Sequence, residues 1–303
     1  MGTTAASPVV AHRSLRARIG GYVALTKPRI VELLLVTTLP TMVVAARGLP
    51  SGWLVLATLV GGSLAAGGAN AMNMVADRDI DAVMHRTRAR PLVTGVITPR
   101  AALCFAVALE VVAFLELWWF VNLLSAVLAV SATAFYVVVY TLWLKRTSSQ
   151  NIVIGGAAGA VPVLVGWSAV TGRLGLAPII LFAVIFVWTP PHFWSLAVRY
   201  KDEYSAAHVP MLPSVTSLAR TGRQIICYTL ALWVASLAFA PVAHMGLIYL
   251  AAAVVLGAVF LVYAIQLHRE ATAKSAMRLF GYSISYLTLL FSAMAVDQLV
   301  RIH

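Results

Sequence analysis

The sequence predicts an all-α fold, a polytopic membrane bundle of nine transmembrane helices. Apolar residues make up 61% of the 303-residue chain and charged residues only 11%, whereas soluble domains carry about 25% charged residues. The apolar residues fall into runs of about 20, the length that crosses a bilayer as a helix. Cys104 and Cys227 lie in such runs, so we expect two buried small side chains rather than a disulfide.

Nine apolar runs are separated by short polar connections. Pro40 lies in the first run and Pro190-Pro191 near the end of the sixth, and kinks or breaks are expected at both places. The predicted spans are 30–46, 53–73, 101–118, 121–142, 152–170, 176–197, 224–243, 246–267 and 279–299.

The distribution of Lys and Arg predicts the orientation. Of 22 basic residues, all but Arg47, Arg173 and Arg301 lie in the N-terminal tail or in alternate connections. The positive-inside rule therefore places the N-terminus in the cytoplasm and the C-terminus outside, which an odd number of spans requires. Residues 1–26 form a basic cytoplasmic tail in this interpretation, and 27–303 form one transmembrane domain. The net charge of +12 then reflects anionic lipid, and no nucleic-acid partner is expected.

The loop at 74–100 holds an unusual concentration of acids for a chain with only ten. Asn73, Asp77 and Asp81 are four residues apart. If the segment is helical they share one face, with Cβ atoms about 5–6 Å apart, and Asp79 points elsewhere. Such a face offers oxygen ligands to Mg²⁺, which proteins typically hold with one or two carboxylates, waters and substrate phosphates.

Arg86, Arg88 and Arg90 follow this face directly and are suited to binding the same phosphates in bidentate fashion. The segment therefore predicts a diphosphate site. The alternative is a solvated charged loop in which carboxylates and arginines merely pair.

A second long loop, at 198–223, lies on the same predicted side, and we expect the two loops to face each other across a cavity mouth. Asp202 is a candidate second cation ligand. Arg199 and Lys201 suit either phosphate or lipid headgroups. Tyr140 and Lys145, which end the fourth span, suit either the same diphosphate or the membrane interface.

Three polar or small-residue features lie within the spans. His192, beside the paired prolines, is a candidate haem-iron ligand, a base, or a donor to a carbonyl freed by Pro191. Glu110 lies mid-span and must face protein, without an assigned role. The run from Gly155 to Gly159 favours close helix packing, with a smooth wall for a flat ligand as the second interpretation.

The motif from Asn73 to Asp81, followed by Arg86-Thr-x-x-Arg90-Pro-Leu-x-x-Gly95, resembles the signature of the intramembrane prenyltransferases typified by 4-hydroxybenzoate polyprenyltransferase. Further segments resemble the branch of that family that makes haem O. They are spread over positions 26–213, about two thirds of the chain, and the last three spans add only hydropathy. These segments are Thr26–Ile30, Tyr140–Arg146, Ile154–Ala160, Thr189–Trp194 and Val209–Pro213.

The resemblance implies a central cavity that opens near the cytoplasmic face, capped by the two loops. Farnesyl diphosphate would place its tail in the bundle and its diphosphate at Mg²⁺. The second aspartate motif of the family keeps only Asp202 here, since position 206 is Ala206. The implied metal ligands are Asn73, Asp77, Asp81 and Asp202. The implied diphosphate-binding residues are Arg90 and Lys145, then Arg86 and Lys201, with Tyr140 and Arg199 also within reach.

The implied acceptor is haem B, which His192 would orient or ligate. A prenyltransferase of the same fold acting on an aromatic or quinone precursor is the alternative, and a transporter or cation channel is the rival from another class. The bilayer is an expected partner, and haem A synthase or cytochrome oxidase assembly proteins are possible ones. A bacterial plasma membrane is favoured over the mitochondrial inner membrane.

Overall fold

The computed structural model describes residues 15–301, with side chains described throughout except at 29–35. The tail expected at 1–26 is therefore described only from Leu15. In the described part every regular element is a helix and there is no strand. The helices are α1 Leu15–Thr26, α2 Pro28–Ala46, α3 Gly52–Ala76, α4 Arg78–Val83, α5 Pro99–Phe120, α6 Leu123–Ala134, a π-helical segment Phe135–Leu144, α7 Lys145–Thr147, α8 Asn151–Thr171, α9 Leu176–Arg199, α10 Lys201–Ala206, α11 Leu212–Val215, α12 Leu218–Val242, α13 Leu247–Glu270 and α14 Ala273–Val300.

Each predicted span coincides with a helix, and the all-α membrane bundle is confirmed. Within the described residues, eight helices are long and apolar enough to cross a membrane, with α6, the π-helical segment and α7 forming one span. In α2, the apolar part with described side chains is Val36–Ala46. Some helices extend beyond the predicted limits, since α12 begins at Leu218 and α14 at Ala273. The ninth crossing and the orientation stay predictions.

The paired prolines do not break the sixth span. Pro190 and Pro191 lie inside the continuous helix α9, and Pro40 lies inside α2. The hydroxyl of Thr189, directly before the prolines, donates to the Ile185 carbonyl oxygen at 2.8 Å. Pro190 and Pro191 leave the carbonyl groups of Phe186 and Val187 without their helical donors, which a membrane helix tolerates where surrounding protein covers the backbone.

Helix α8 lies at the centre of the bundle, in contact with α2, α6 and α9. A Cβ atom added at Gly156 would lie 3.0 Å from Thr189 of α9, and one at Gly155 would clash with the Tyr140 ring. Close packing is therefore confirmed at these two glycines. At Gly159, which lines a cavity, no atom lies within 4 Å of the added Cβ.

The expectation that both cysteines are buried was wrong. Cys104 of α5 and Cys227 of α12 are free and exposed. An apolar run alone does not say which face of a membrane helix meets lipid.

A buried carboxylate joins the last two helices at the end of α14. Asp297 is 1% exposed and accepts hydrogen bonds from the backbone N–H groups of Gly246 at 2.6 Å, Ile248 at 3.1 Å and Tyr249 at 3.3 Å. These N–H groups begin α13 and have no partner within the helix. Asp297 therefore caps α13 from a neighbouring helix.

Candidate active site

A cavity of about 550 Å³ occupies the middle of the bundle, within the range typical of ligand pockets. Its lining changes along its length. Charged side chains lie where α3 ends, a region we call the site end, and apolar and small residues line the remainder. The charged lining residues are Lys27, Asp81, Arg86, Arg90 and Lys145.

The predicted polar face is present, although two helices share it. α3 ends at Ala76 and α4 begins at Arg78, but the backbone bonds continue from Asp77 N to Asn73 O at 2.9 Å and from Asp81 N to Asp77 O at 2.8 Å. Helical spacing is thereby kept across the junction. Asn73, Asp77 and Asp81 are 3%, 0% and 2% exposed. Asn73 and Asp81 line the cavity.

Asp77 is held by two donors. The Lys145 ammonium pairs with its Oδ2 atom, to which Asn73 Nδ2 also donates at 2.7 Å. Lys27 Nζ donates to Asn73 Oδ1 at 2.9 Å. The Oδ1 atom of Asp77 is buried and has no hydrogen-bond partner among the described residues. One carboxylate oxygen is therefore left for a further cation or donor.

Arg90 makes the matching contact to Asp81, because its Nη1 donates to both carboxylate oxygens at 2.7 Å. Carboxylates and bases thus do pair, but inside the protein rather than in the solvated loop that was the alternative. Burying charges is costly even when they are paired. Such a cluster on a cavity wall indicates a binding site.

Lys27 belongs to this cluster, although the sequence argument gave it no role of its own. Burial, and then the positive charges of Arg90 and Lys145, lower the pKa of Lys27 to about 7. Its backbone has a φ of 50°, a left-handed conformation that is uncommon outside glycine. The sequence marked it only as a member of the family-like segment Thr26–Ile30, directly before Pro28.

The π-helical segment brings a second unexpected residue to the site. Thr141 donates to the Tyr136 carbonyl oxygen at 2.9 Å and accepts from Asn73 Nδ2 at 3.1 Å. The wider turn of a π-helix is often found at functional sites. Thr141 reaches the α3–α4 junction from this segment, and Lys145 reaches it from the first position after the segment. Thr141 lies in the family-like segment Tyr140–Arg146, but the sequence argument gave it no role.

The two long loops meet at the site end, as expected. The Arg86 guanidinium lies 5.7 Å from the centre of the Tyr200 ring, and its backbone N–H donates to Glu203 at 3.4 Å. Tyr204 lines the cavity, and burial raises the pKa of its hydroxyl. Arg86 therefore connects the loop after α4 with the loop after α9.

Five of the sequence candidates do not line the cavity. Asp77 is buried behind the lining, and the other four lie at the surface. Arg88, Arg199, Lys201 and Asp202 are exposed. Arg86, Arg90, Lys145 and Tyr140 do line it. The structure thus gathers the candidates of the first loop and the fourth span, but not the charged residues around the start of α10.

Asp79 points away from the cavity, as its position in the helical repeat predicted. Its carboxylate oxygens accept from Arg146 at 2.7 and 2.8 Å, and Arg146 also donates to the Ala76 carbonyl oxygen at 2.8 Å. The hydrogen bond from Arg146 lowers the pKa of Asp79 to about 2. This exposed pair lies at the outer side of the α3–α4 junction.

His192 lies elsewhere on the same cavity wall. It is 7% exposed, stacks on Trp188 at 4.3 Å between ring centres, and its Nδ1 lies 2.7 Å from Ser283 Oγ. Glu110 faces protein, as expected, and accepts from Thr133 at 3.0 Å. Thr133 lines the cavity.

The oxygen atoms at the site end fit Mg²⁺. Among the described residues no three His, Cys, Asp or Glu side chains come together as a metal group. Mg²⁺ needs fewer protein ligands, because waters and substrate phosphates complete its octahedron. Asn73, Asp81 and the unpartnered oxygen of Asp77 supply suitable hard donors.

Fold and site together define a class, a helical membrane protein with an internal cavity that is charged at the site end and mainly apolar elsewhere. The chain belongs to the UbiA prenyltransferase family, which matches residues 34–291.

Two similar proteins from bacteria share one name. A protein of Renibacterium salmoninarum named protoheme IX farnesyltransferase is 53% identical, over 98% of this chain and 96% of its own length. A protein of Streptomyces coelicolor with that name is 49% identical, over 99% of this chain and 97% of its own length.

Solved structures share the fold. A digeranylgeranylglyceryl phosphate synthase has a TM-score of 0.78 at 16% identity, covering 93% of this chain and 99% of its own. A UbiA homologue from Archaeoglobus fulgidus bound to DMAPP and Mg²⁺ has a TM-score of 0.64 at 16% identity. The match covers 90% of this chain and 99% of the homologue's chain. At these identities the likeness concerns the fold alone.

Proposed function

We propose that this protein transfers the farnesyl group of farnesyl diphosphate to a vinyl group of haem B, which yields haem O. The names of relatives about half identical over nearly the full chain support this proposal. The observation that carries the chemistry is the buried set of Asn73, Asp77 and Asp81 at the charged end of an apolar cavity.

The charged end suits the diphosphate and the remaining cavity suits the isoprenoid. Lys27, Arg90 and Lys145 each contact a member of the polar face, so their cationic groups surround the point where the diphosphate would lie. Asn73, Asp77 and Asp81 would hold Mg²⁺, which when bound supplies positive charge that stabilises the leaving diphosphate. Arg86 and Tyr140 line the cavity nearby as further diphosphate contacts.

In this proposal the C–O bond of farnesyl diphosphate breaks and its electron pair leaves with the diphosphate. The cationic side chains at the site end stabilise the negative charge of the leaving diphosphate. The π electrons of the haem vinyl group then bond to the allylic cation, water adds to the carbon left positive, and a proton is released. The product is a hydroxyethylfarnesyl substituent. The apolar wall keeps water from capturing the cation before the vinyl group does.

Haem B would lie against the part of the cavity that contains His192. The side chains there are apolar or aromatic, which suits a flat macrocycle. His192 is our candidate axial ligand. Asp202, with Arg199 and Lys201 beside it, stays a prediction from the family motif, since it is exposed in the loop after α9.

The same proposal places the protein in a bacterial plasma membrane. The bacterial origin of both relatives and the membrane-length helices support that location. In this proposal its partners would be enzymes that oxidise haem O further, such as haem A synthase, or proteins that assemble a terminal oxidase.

A competition assay tests the acceptor. Membranes containing the protein are given farnesyl diphosphate, Mg²⁺ and equal amounts of haem B and 4-hydroxybenzoate. We expect farnesylated, hydrated haem as the main product by mass spectrometry, and none after EDTA. Farnesylated benzoate without a haem product would instead favour the quinone-precursor alternative.

A further inference from the structure

Ser283 of α14 makes the hydrogen bond to the Nδ1 atom of the His192 ring. The Ser283 hydroxyl lies 2.6 Å from the Phe280 carbonyl oxygen, to which it donates, and 2.7 Å from His192 Nδ1. A serine hydroxyl has one proton but two acceptor sites. Because that proton is given to Phe280, the hydroxyl accepts from Nδ1–H. A neutral ring protonated at Nδ1 has its lone pair on Nε2.

The imidazole ring is also held in a fixed orientation. Trp188 stacks on one side at 4.3 Å and an interplanar angle of 18°, and Phe280 stacks on it at 4.6 Å and 27°. Trp188 Nε1 donates to the Ser283 carbonyl oxygen at 2.9 Å, which links α9 to α14 at this point. Ring rotation would require both stacking contacts to separate.

The Nε2 atom has no hydrogen-bond partner among the described side chains, while the residue lines the cavity. The lining of the same cavity includes the apolar side chains of Leu196, Met211, Ile284 and Leu287. A histidine that binds a metal usually donates its other N–H to an acceptor, which fixes the tautomer and the ring orientation. His192 and Ser283 already have this arrangement.

We propose that Ser283 is a positioning residue that keeps His192 protonated at Nδ1, so that Nε2 binds the iron of haem B as an axial ligand. This inference rests on the proposed function, in which haem B is the acceptor. It explains why a polar side chain lies among aromatic rings inside a membrane bundle, where an unused polar group is expensive. It assigns a role to α14, a helix for which the sequence offered only hydropathy.

Haem binding without turnover tests this role. The full-length chain in detergent is titrated with ferric haem B in the absence of farnesyl diphosphate, and absorption and EPR spectra are recorded. We expect histidine-ligated haem in the wild type. His192→Ala should lose that signature, and added imidazole should restore it. Ser283→Ala should bind haem about 10- to 100-fold more weakly, as for loss of a residue that orients a ligand.

Two matched variants separate positioning from folding. Ser283→Thr keeps the hydroxyl and should keep wild-type affinity and spectrum. Ser285→Ala changes an exposed serine on the same helix and should have no effect. A thermal shift with farnesyl diphosphate, retained in Ser283→Ala, shows that this variant is folded.

Wild-type haem affinity and spectrum in folded Ser283→Ala would overturn the positioning role. The same result in His192→Ala would overturn the ligand assignment, while the protein could still make haem O. A wild-type protein that binds haem through His192 but forms no farnesylated haem would leave this inference standing and contradict the proposed function.

Discussion

At the scale of single residues, the central feature is Asp77, a fully buried carboxylate with one oxygen paired to Lys145 and Asn73 and the other without a partner among the described residues. A buried charge with a free lone pair is costly unless a further cation or donor is bound. The free oxygen is therefore better explained by binding than by stability.

Asp77→Asn should lower kcat for farnesyl transfer by about 100-fold or more, as for loss of one preorganised electrostatic group. The substitution keeps the side-chain shape and removes the charge that pairs with Lys145. Steady-state assays with saturating farnesyl diphosphate measure the change in kcat. Asp79→Asn is the control, because Asp79 is exposed and its pair with Arg146 contributes about 0–1 kcal/mol. Equal turnover in the two variants would remove Asp77 from the mechanism.

At the scale of elements, two features of the helices position the site or hold the bundle. The π-helical segment Phe135–Leu144 places Thr141, and Lys145 directly after it, at the α3–α4 junction. At the end of α14, Asp297 caps α13. The first feature should affect metal binding and the second only stability.

Thr141→Val removes the hydroxyl that accepts from Asn73, so Asn73 is less firmly oriented toward the metal. We expect the Mg²⁺ concentration for half-maximal activity to rise about 10-fold, as for other residues that orient metal ligands. Activity measured against Mg²⁺ concentration gives this value. Thr141→Ser keeps the hydroxyl and should be near wild type. An unchanged Mg²⁺ dependence in the valine variant would show that Thr141 does not act through Asn73.

Asp297→Ala leaves the first N–H groups of α13 without their acceptor. We expect a loss of about 2 kcal/mol in the free energy of unfolding, and hence a lower Tm in detergent. Below the unfolding transition kcat should be unchanged, because Asp297 does not line the cavity. Asp297→Asn, which keeps one carbonyl oxygen, should lose less. A wild-type Tm for the alanine variant would argue against the cap.

At the scale of the whole molecule, hydropathy and motif spacing predicted the bundle, its loops and the polar face. Asn73, Asp77 and Asp81 could be identified because helical spacing operates over four residues. Lys27 and Thr141 could not, since they reach the site through contacts with residues 46 and 68 positions away. The sequence also could not predict that Asp202 is exposed, because a family motif does not say how a loop folds.

The distribution of basic residues predicts a cytoplasmic N-terminus and an external C-terminus. Reporter fusions after His303 measure this directly. Alkaline phosphatase should be active there and green fluorescent protein should not be fluorescent. Fusions at Ser149, between α7 and α8, are the control and should give the reverse. A fluorescent C-terminal fusion would contradict nine crossings with the assigned orientation.

The most direct test of the central claim is the mass of the product formed from haem B, farnesyl diphosphate and Mg²⁺ by the purified protein. We predict haem that carries one farnesyl group and one added hydroxyl, with one diphosphate released per product, and formation of both at least about 100-fold slower in Asp77→Asn. Haem B recovered unchanged while the protein binds both substrates, or the same rate of product formation by Asp77→Asn, would contradict the account.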